Sequence, residues 1–80
     1  MNTSPRIVEL PKKNKVQKLM TFGEALQEAV KGNNITRIVW NDTNSYGLIS
    51  NDKLMIHLRG MFHEWIVVTG DIIAEDWIIV

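Results

Sequence analysis

Three aromatic side chains and two guanidinium groups are the residues of this 80-residue chain with the most chemistry to offer. Trp40, Tyr46 and Trp65 each present a flat ring on which a nucleobase can stack, a contact worth about 1 to 3 kcal/mol per base. Arg37 and Arg59 carry the planar fork that grips a phosphate through parallel hydrogen bonds. Each ring is equally a side chain that fills a small core, and Trp77, set in an unbroken apolar run, reads as core. At Gly47 and Gly60 a missing Cβ allows close approach of a ligand, or merely a bulge and a turn. Neither common pattern of glycine-rich phosphate loop is present.

The case for catalysis is thinner. Asp71, Glu75 and Asp76 form a carboxylate group of the kind hydrolysis needs, one acid and one base at fixed separation. Asp71, however, follows Thr69-Gly70 at the start of a turn, where a carboxylate caps free N–H groups. No histidine, serine or lysine sits in an activating motif. Capping or orientation of a ligand is therefore the expectation, and the chain does not read as an enzyme. His57 and His63, six residues apart with no cysteine to complete a set, lack metal-ligand spacing and read as ordinary polar or partly buried histidines. No metal and no cofactor is expected.

Something must hold these groups in place, and 80 residues make one small domain that buries only about 60% of the surface its unfolded chain exposes. Small scaffolds compensate with disulfides, metals or oligomerisation. With no cysteine and no ligand cluster, oligomerisation remains. The lack of cysteine, of a secretory signal and of any apolar run near 18 residues leads to the expectation of a soluble, intracellular protein. The net charge is zero but unevenly divided: residues 1–19 hold five cations against one acid, a net +4, and residues 20–80 hold four against eight, a net −4. A basic arm can hold nucleic acid through phosphates. This one lacks interleaved aromatics and reads first as a flexible, solvated extension with a short extended piece at Arg6–Leu10.

The folded domain is expected over residues 20–80. Thr21-x-x-Glu24 is a capping box, and Phe22, Ala25, Leu26, Ala29 and Val30 recur on one helical stripe that Lys31-Gly32 brings to a stop. Five strands follow by pattern. The first covers residues 35 to 40 and the second 46 to 50; Asn51-Asp52-Lys53 then forms a tight hairpin into the third, 54 to 58. After a loop over 59 to 63, the fourth covers 65 to 68, a turn or single helical turn spans 69 to 74, and the fifth covers 77 to 80. The last two are apolar at every position, so both faces want burial. One helix of about ten residues is only about 15 Å long and cannot cover both. The expected fold is thus α+β, one N-terminal helix packed on a twisted antiparallel sheet of about five strands, with the uncovered face meeting another subunit of a homo-oligomer.

Several of these stretches together resemble one family: Thr21-Phe22-Gly23-Glu24-Ala25-Leu26, then Arg37-x-x-Trp40-Asn41, then Trp65 with Asp71 six residues on, and Ala74-Glu75-Asp76-Trp77. They are similar to the second type of Thoeris anti-defence protein, a phage family. The resemblance implies a homotetrameric sponge, acting in the cytoplasm of the infected bacterial host, that sequesters cyclic nucleotide immune signals, glycocyclic ADP-ribose or cyclic dinucleotides, without degrading them. The candidate ligand-binding residues are Trp40, Asn41 and Tyr46 from the first hairpin and Trp65 and Asp71 from the fourth strand and its turn, with Arg37 or Arg59 as the phosphate partner. The chain has Val39 and Asp42 beside Trp40-Asn41, and Val67 and Val68 after Trp65, where the family usually carries glycine or polar residues, and this leaves the ligand open. Two readings from other classes stand beside it: an interaction module that blocks a host protein through its apolar face, and a nucleic-acid-binding protein using the basic arm. No membrane association is expected.

Overall fold

The computed structural model describes residues 6–10 and 15–80, with side chains from residue 18 onward. Lys12 and Lys13 of the basic extension, and the side chains of Arg6 and Lys15, lie outside the described residues. Strand β1 (Arg6–Leu10) pairs antiparallel with β2 (Lys15–Leu19), so the extended piece expected at Arg6–Leu10 has a partner. Nothing in the sequence announced β2, because five residues alternating between Lys, Val and Gln are too few to establish a period. The chain then joins the main sheet directly: Met20 and Trp77 exchange backbone hydrogen bonds of 2.9 and 3.2 Å.

The capping box forms. The Thr21 hydroxyl accepts from the Glu24 N–H at 3.2 Å, and the Glu24 carboxylate accepts from the Thr21 N–H at 2.9 Å. Helix α1 (Phe22–Val30) follows, and Gly32, at φ +101°, takes the left-handed turn after it. Ala25 and Ala29 are its buried residues, and such small side chains let the helix lie close on the sheet. Val30, placed on the buried stripe by its spacing, is instead 71% exposed at the helix end.

Five antiparallel strands make the sheet, in the order β6-β5-β4-β3-β7: β3 (Ile35–Arg37), β4 (Tyr46–Ser50), β5 (Lys53–Leu58), β6 (Met61–Glu64) and β7 (Trp77–Ile79). The α+β class and the five-stranded antiparallel sheet agree with the sequence expectation, with three local differences. The first strand stops at Arg37 and passes into a 3-10 turn, Ile38–Trp40. At this break the Asp76 carbonyl accepts from the Ile38 N–H at 3.2 Å, in register with β7, and the Asp76 carboxylate accepts from the Val39 N–H of the turn at 3.1 Å. Second, the expected loop at 59 to 63 is a two-residue turn and a strand. Arg59 (φ 52°) and Gly60 (φ 78°) both occupy the left-handed region that a tight hairpin needs, just as Asn51 and Asp52 do in the preceding hairpin.

Third, residues 65 to 68 are not a strand. Trp65 donates once more to the Leu54 carbonyl at 3.1 Å, and the ladder ends. Trp65 and Val67 then turn into the core while Ile66, at 84%, and Val68 are exposed. The apolar run is therefore half buried, and it leads into a short helix α2 (Thr69–Ile73). In β7 the run is buried on both faces at Trp77 and Ile78, as an all-apolar strand requires.

The core joins Met20, Ala25, Ala29, Ile35, Ile56, Trp65 and Trp77. Trp65 lies flat over Gly47, where a Cβ would overlap its six-membered ring. Gly47→Ala is expected to displace that ring and destabilise the protein by about 1 to 3 kcal/mol, measurable as a lower midpoint in chemical denaturation with unchanged slope.

Candidate functional site

The seven residues singled out by sequence separate into distinct groups. Arg37 and Asp71 meet: the Arg37 Nη1 donates to Asp71 Oδ1 at 3.0 Å, and its Nε donates to Asp76 Oδ1 at 2.8 Å. One guanidinium thus holds two carboxylates from either side of the α2–β7 connection. Asp71 is not a helix cap, since it sits inside α2 and its carboxylate serves Arg37. Burial works to lower the Arg37 pKa, but the hydrogen bonds and charges of Asp76 and Asp71 outweigh it and raise it further above its ordinary value. Asp76 is the mirror case: burial pushes it up, and the Arg37 and Val39 hydrogen bonds with the guanidinium charge leave it below the usual carboxylate value. The trio is a structural clamp, and it leaves Arg37 poorly placed to receive a phosphate.

Trp40 and Trp65 also meet, edge to face with centroids 6.3 Å apart, and both lie against Trp77. Trp65 is 8% exposed and works as core. Trp40 packs on the same cluster but keeps an edge in a shallow concavity of about 290 Å³ shared with Asp42, Ser45 and Leu58. Asn41 closes the 3-10 turn in the left-handed conformation (φ 52°, ψ 40°) and is exposed.

A larger open concavity, about 910 Å³, lies at the end of the sheet where the loop before β4 meets the β5–β6 turn, within the size range of small-molecule sites. Asp42, Asn44, His57, Arg59 and His63 line it. Asp42 shapes its own loop, accepting from the Asn44 N–H and the Ser45 hydroxyl, each at 2.9 Å. Arg59 makes no hydrogen bond or ion pair among the described residues. It holds a backbone conformation that costs a non-glycine residue about 1 kcal/mol or more. Tyr46, the remaining sequence candidate, borders this region by stacking on His57, centroids 4.8 Å apart and 16° between planes.

His57, Phe62 and Asp76 acquire roles that their spacing did not reveal. His57 lies opposite Tyr46 on one side and opposite Phe62 on the other, a register that depends on the Arg59-Gly60 turn. Asp76 is tied to a residue 39 positions away. Among the described residues no group of three or more His, Asp or Glu could hold a metal, and no helix is long and apolar enough to cross a membrane.

The linkage sign for the clamp is definite. A carboxylate with a lowered folded pKa adds stability above its unfolded value, near 4, and loses it as pH falls through the folded value. Asp76→Asn should therefore flatten the acid limb of stability below about pH 4 relative to the wild type, as read by thermal melts across that range; an unchanged limb would remove Asp76 from the account.

One family model matches this chain, that of the Thoeris anti-defense 2-like domain, over residues 20–80. No curated protein and no solved structure matches.

Proposed function

Because the chain belongs to the Thoeris anti-defense 2-like family, we propose that it counters a bacterial defence by sequestering a cyclic nucleotide immune signal, glycocyclic ADP-ribose or a cyclic dinucleotide, without degrading it. The observation that carries the site is the contrast between the two arginines. Arg37 is clamped by two carboxylates, whereas Arg59 stands unpaired among the described residues on the wall of the large concavity. A phosphate there meets a donor fork whose charge is not already spent. Trp40 lines the neighbouring concavity, with Asn41 next to it in the chain, and these are the aromatic and amide contacts carried over from the sequence expectation. Trp65 contributes by supporting Trp40, and Asp71 by fixing Arg37.

These signals carry two phosphates, and one chain offers one unpaired arginine in the concavity. A homo-oligomer, with four chains favoured, would supply more than one. The exposed Ile66, Val68, Ile72 and Ile73 around α2 are consistent with such an assembly. The same patch favours the second reading, a module that blocks a host protein.

Titration calorimetry of the full chain against glycocyclic ADP-ribose and a panel of cyclic dinucleotides should find at least one tight ligand, recovered chemically intact after heat release. Arg59→Lys should weaken it by about 1.5 to 3 kcal/mol by losing the fork while keeping the charge. Arg37→Lys should act mainly on stability. No binding anywhere on the panel would leave the host-protein blocker as the better account, and conversion of the ligand would make the protein an enzyme. Light scattering should give at least two chains, and Ile66→Asp should dissociate them without unfolding the chain, since that side chain is 84% exposed.

A further inference from the structure

His57 is held in one orientation and one tautomer. Its strand lies between β4 and β6, so its ring stands between two others: Tyr46 stacked on it, and Phe62 tilted at 61° with centroids 4.8 Å apart. Its Nδ1 lies 2.6 Å from the Asn44 carbonyl oxygen. A carbonyl can only accept, so Nδ1 must carry the hydrogen and Nε2 of the neutral ring must carry a lone pair. No atom of the described residues pairs with Nε2. It is not buried either, because no buried side-chain nitrogen or oxygen in the described structure lacks a partner. Nε2 is therefore solvent-accessible, on a ring that lines the concavity.

A group fixed by packing on both sides and by a hydrogen bond behind it is pre-organised: binding costs it little further order. Here the fixed group is an acceptor, set in the same wall as the Arg59 donor fork. We infer that His57 is a specificity-determining residue of this concavity, its Nε2 accepting a hydrogen bond from the amino group of a nucleobase whose phosphate lies at Arg59. This inference rests on the nucleotide reading above and narrows it to amino-bearing bases. Asp42 lines the same concavity, its carboxylate accepting from the Asn44 N–H and the Ser45 hydroxyl of its own loop.

The test uses simple mononucleotides as probes, in pairs that differ by the amino group alone: AMP against purine riboside 5′-monophosphate, and GMP against IMP, titrated into the full chain by NMR. The amino-bearing member of at least one pair should bind about tenfold tighter, the worth of one well-placed hydrogen bond. In His57→Phe, which keeps a ring in the stack, that preference should vanish, the two members of the pair binding equally; Arg59→Gln should weaken both members alike while the preference persists. Long-range nitrogen–proton spectra of the wild type should show the Nδ1–H tautomer, with the Nε2 signal moving on addition of the tighter probe. Those two wild-type measurements stand even if His57→Phe fails to fold. Equal affinities within both pairs, with shifts at Arg59, would overturn the role of His57 and leave nucleotide binding intact. An Nε2–H tautomer, or no shift from any of the four probes, would also overturn it, while the calorimetric panel of cyclic signals separately decides the sequestration reading.

Discussion

Helix α1, the 3-10 turn, the segment after β6 and helix α2 all converge on the indole of Trp77. The side chain is fully buried. Phe22 from α1 meets it at 5.3 Å, Trp40 from the 3-10 turn at 5.4 Å and Trp65 from the segment after β6 at 5.7 Å. Its Nε1 donates to the Asp71 carbonyl in α2 at 3.0 Å, so the polar end of the ring is satisfied where an unpaired N–H would be costly. Its backbone pairs with Met20 on one side and Arg37 on the other. Four aromatic rings thus supply what a chain of this size cannot draw from many aliphatic layers, and each contact arrives from a different part of the sequence.

That solution limits what is left for binding. Trp65 is spent on the core and on covering Gly47, Trp40 keeps only an edge, and Arg37 is held where its charge closes the gap between β3, α2 and β7. The groups that stay open, Arg59, Asn44 and His57, line a concavity that adjoins the aromatic cluster through Asp42, Ser45 and Leu58, which border Trp40 as well. The left-handed Arg59 lies in the turn at the rim of that concavity, outside the buried core.

The parts legible in the sequence were those decided within a few residues. The capping box at Thr21 and Glu24, the stop at Gly32 and the Asn51-Asp52 hairpin all depend on local hydrogen bonds or dihedral preference. What escaped was set at a distance. The first strand ends at Arg37 in a 3-10 turn whose Ile38 and Val39 N–H groups both meet Asp76, 38 residues beyond Ile38, and no spacing rule links them. The hairpin at Arg59-Gly60 hides because arginine is a poor signal for a left-handed position, and missing it displaced the fourth strand onto the apolar run that starts at Trp65. The Tyr46–His57–Phe62 stack then went unseen, since it exists only in the register that this turn creates. Of the candidate site, the residue types were readable, but which arginine was free was not.

Asp71 ties the buried aromatic cluster to the exposed apolar patch. Its carbonyl receives the Trp77 indole and its carboxylate receives Arg37, so one residue docks α2 to the aromatic cluster and to β3 at once. The exposed isoleucines at 72 and 73 are carried by that same short helix. A five-residue helix has no stability of its own in water, and its position comes from these two bonds together with packing on α1 and the core contacts of Val67 and Ala74 at its ends. The apolar patch is thereby anchored to the core. Any surface that packs on it, a second copy of the chain or a host protein, meets a face pre-ordered by Trp77, which lowers the entropic cost of association.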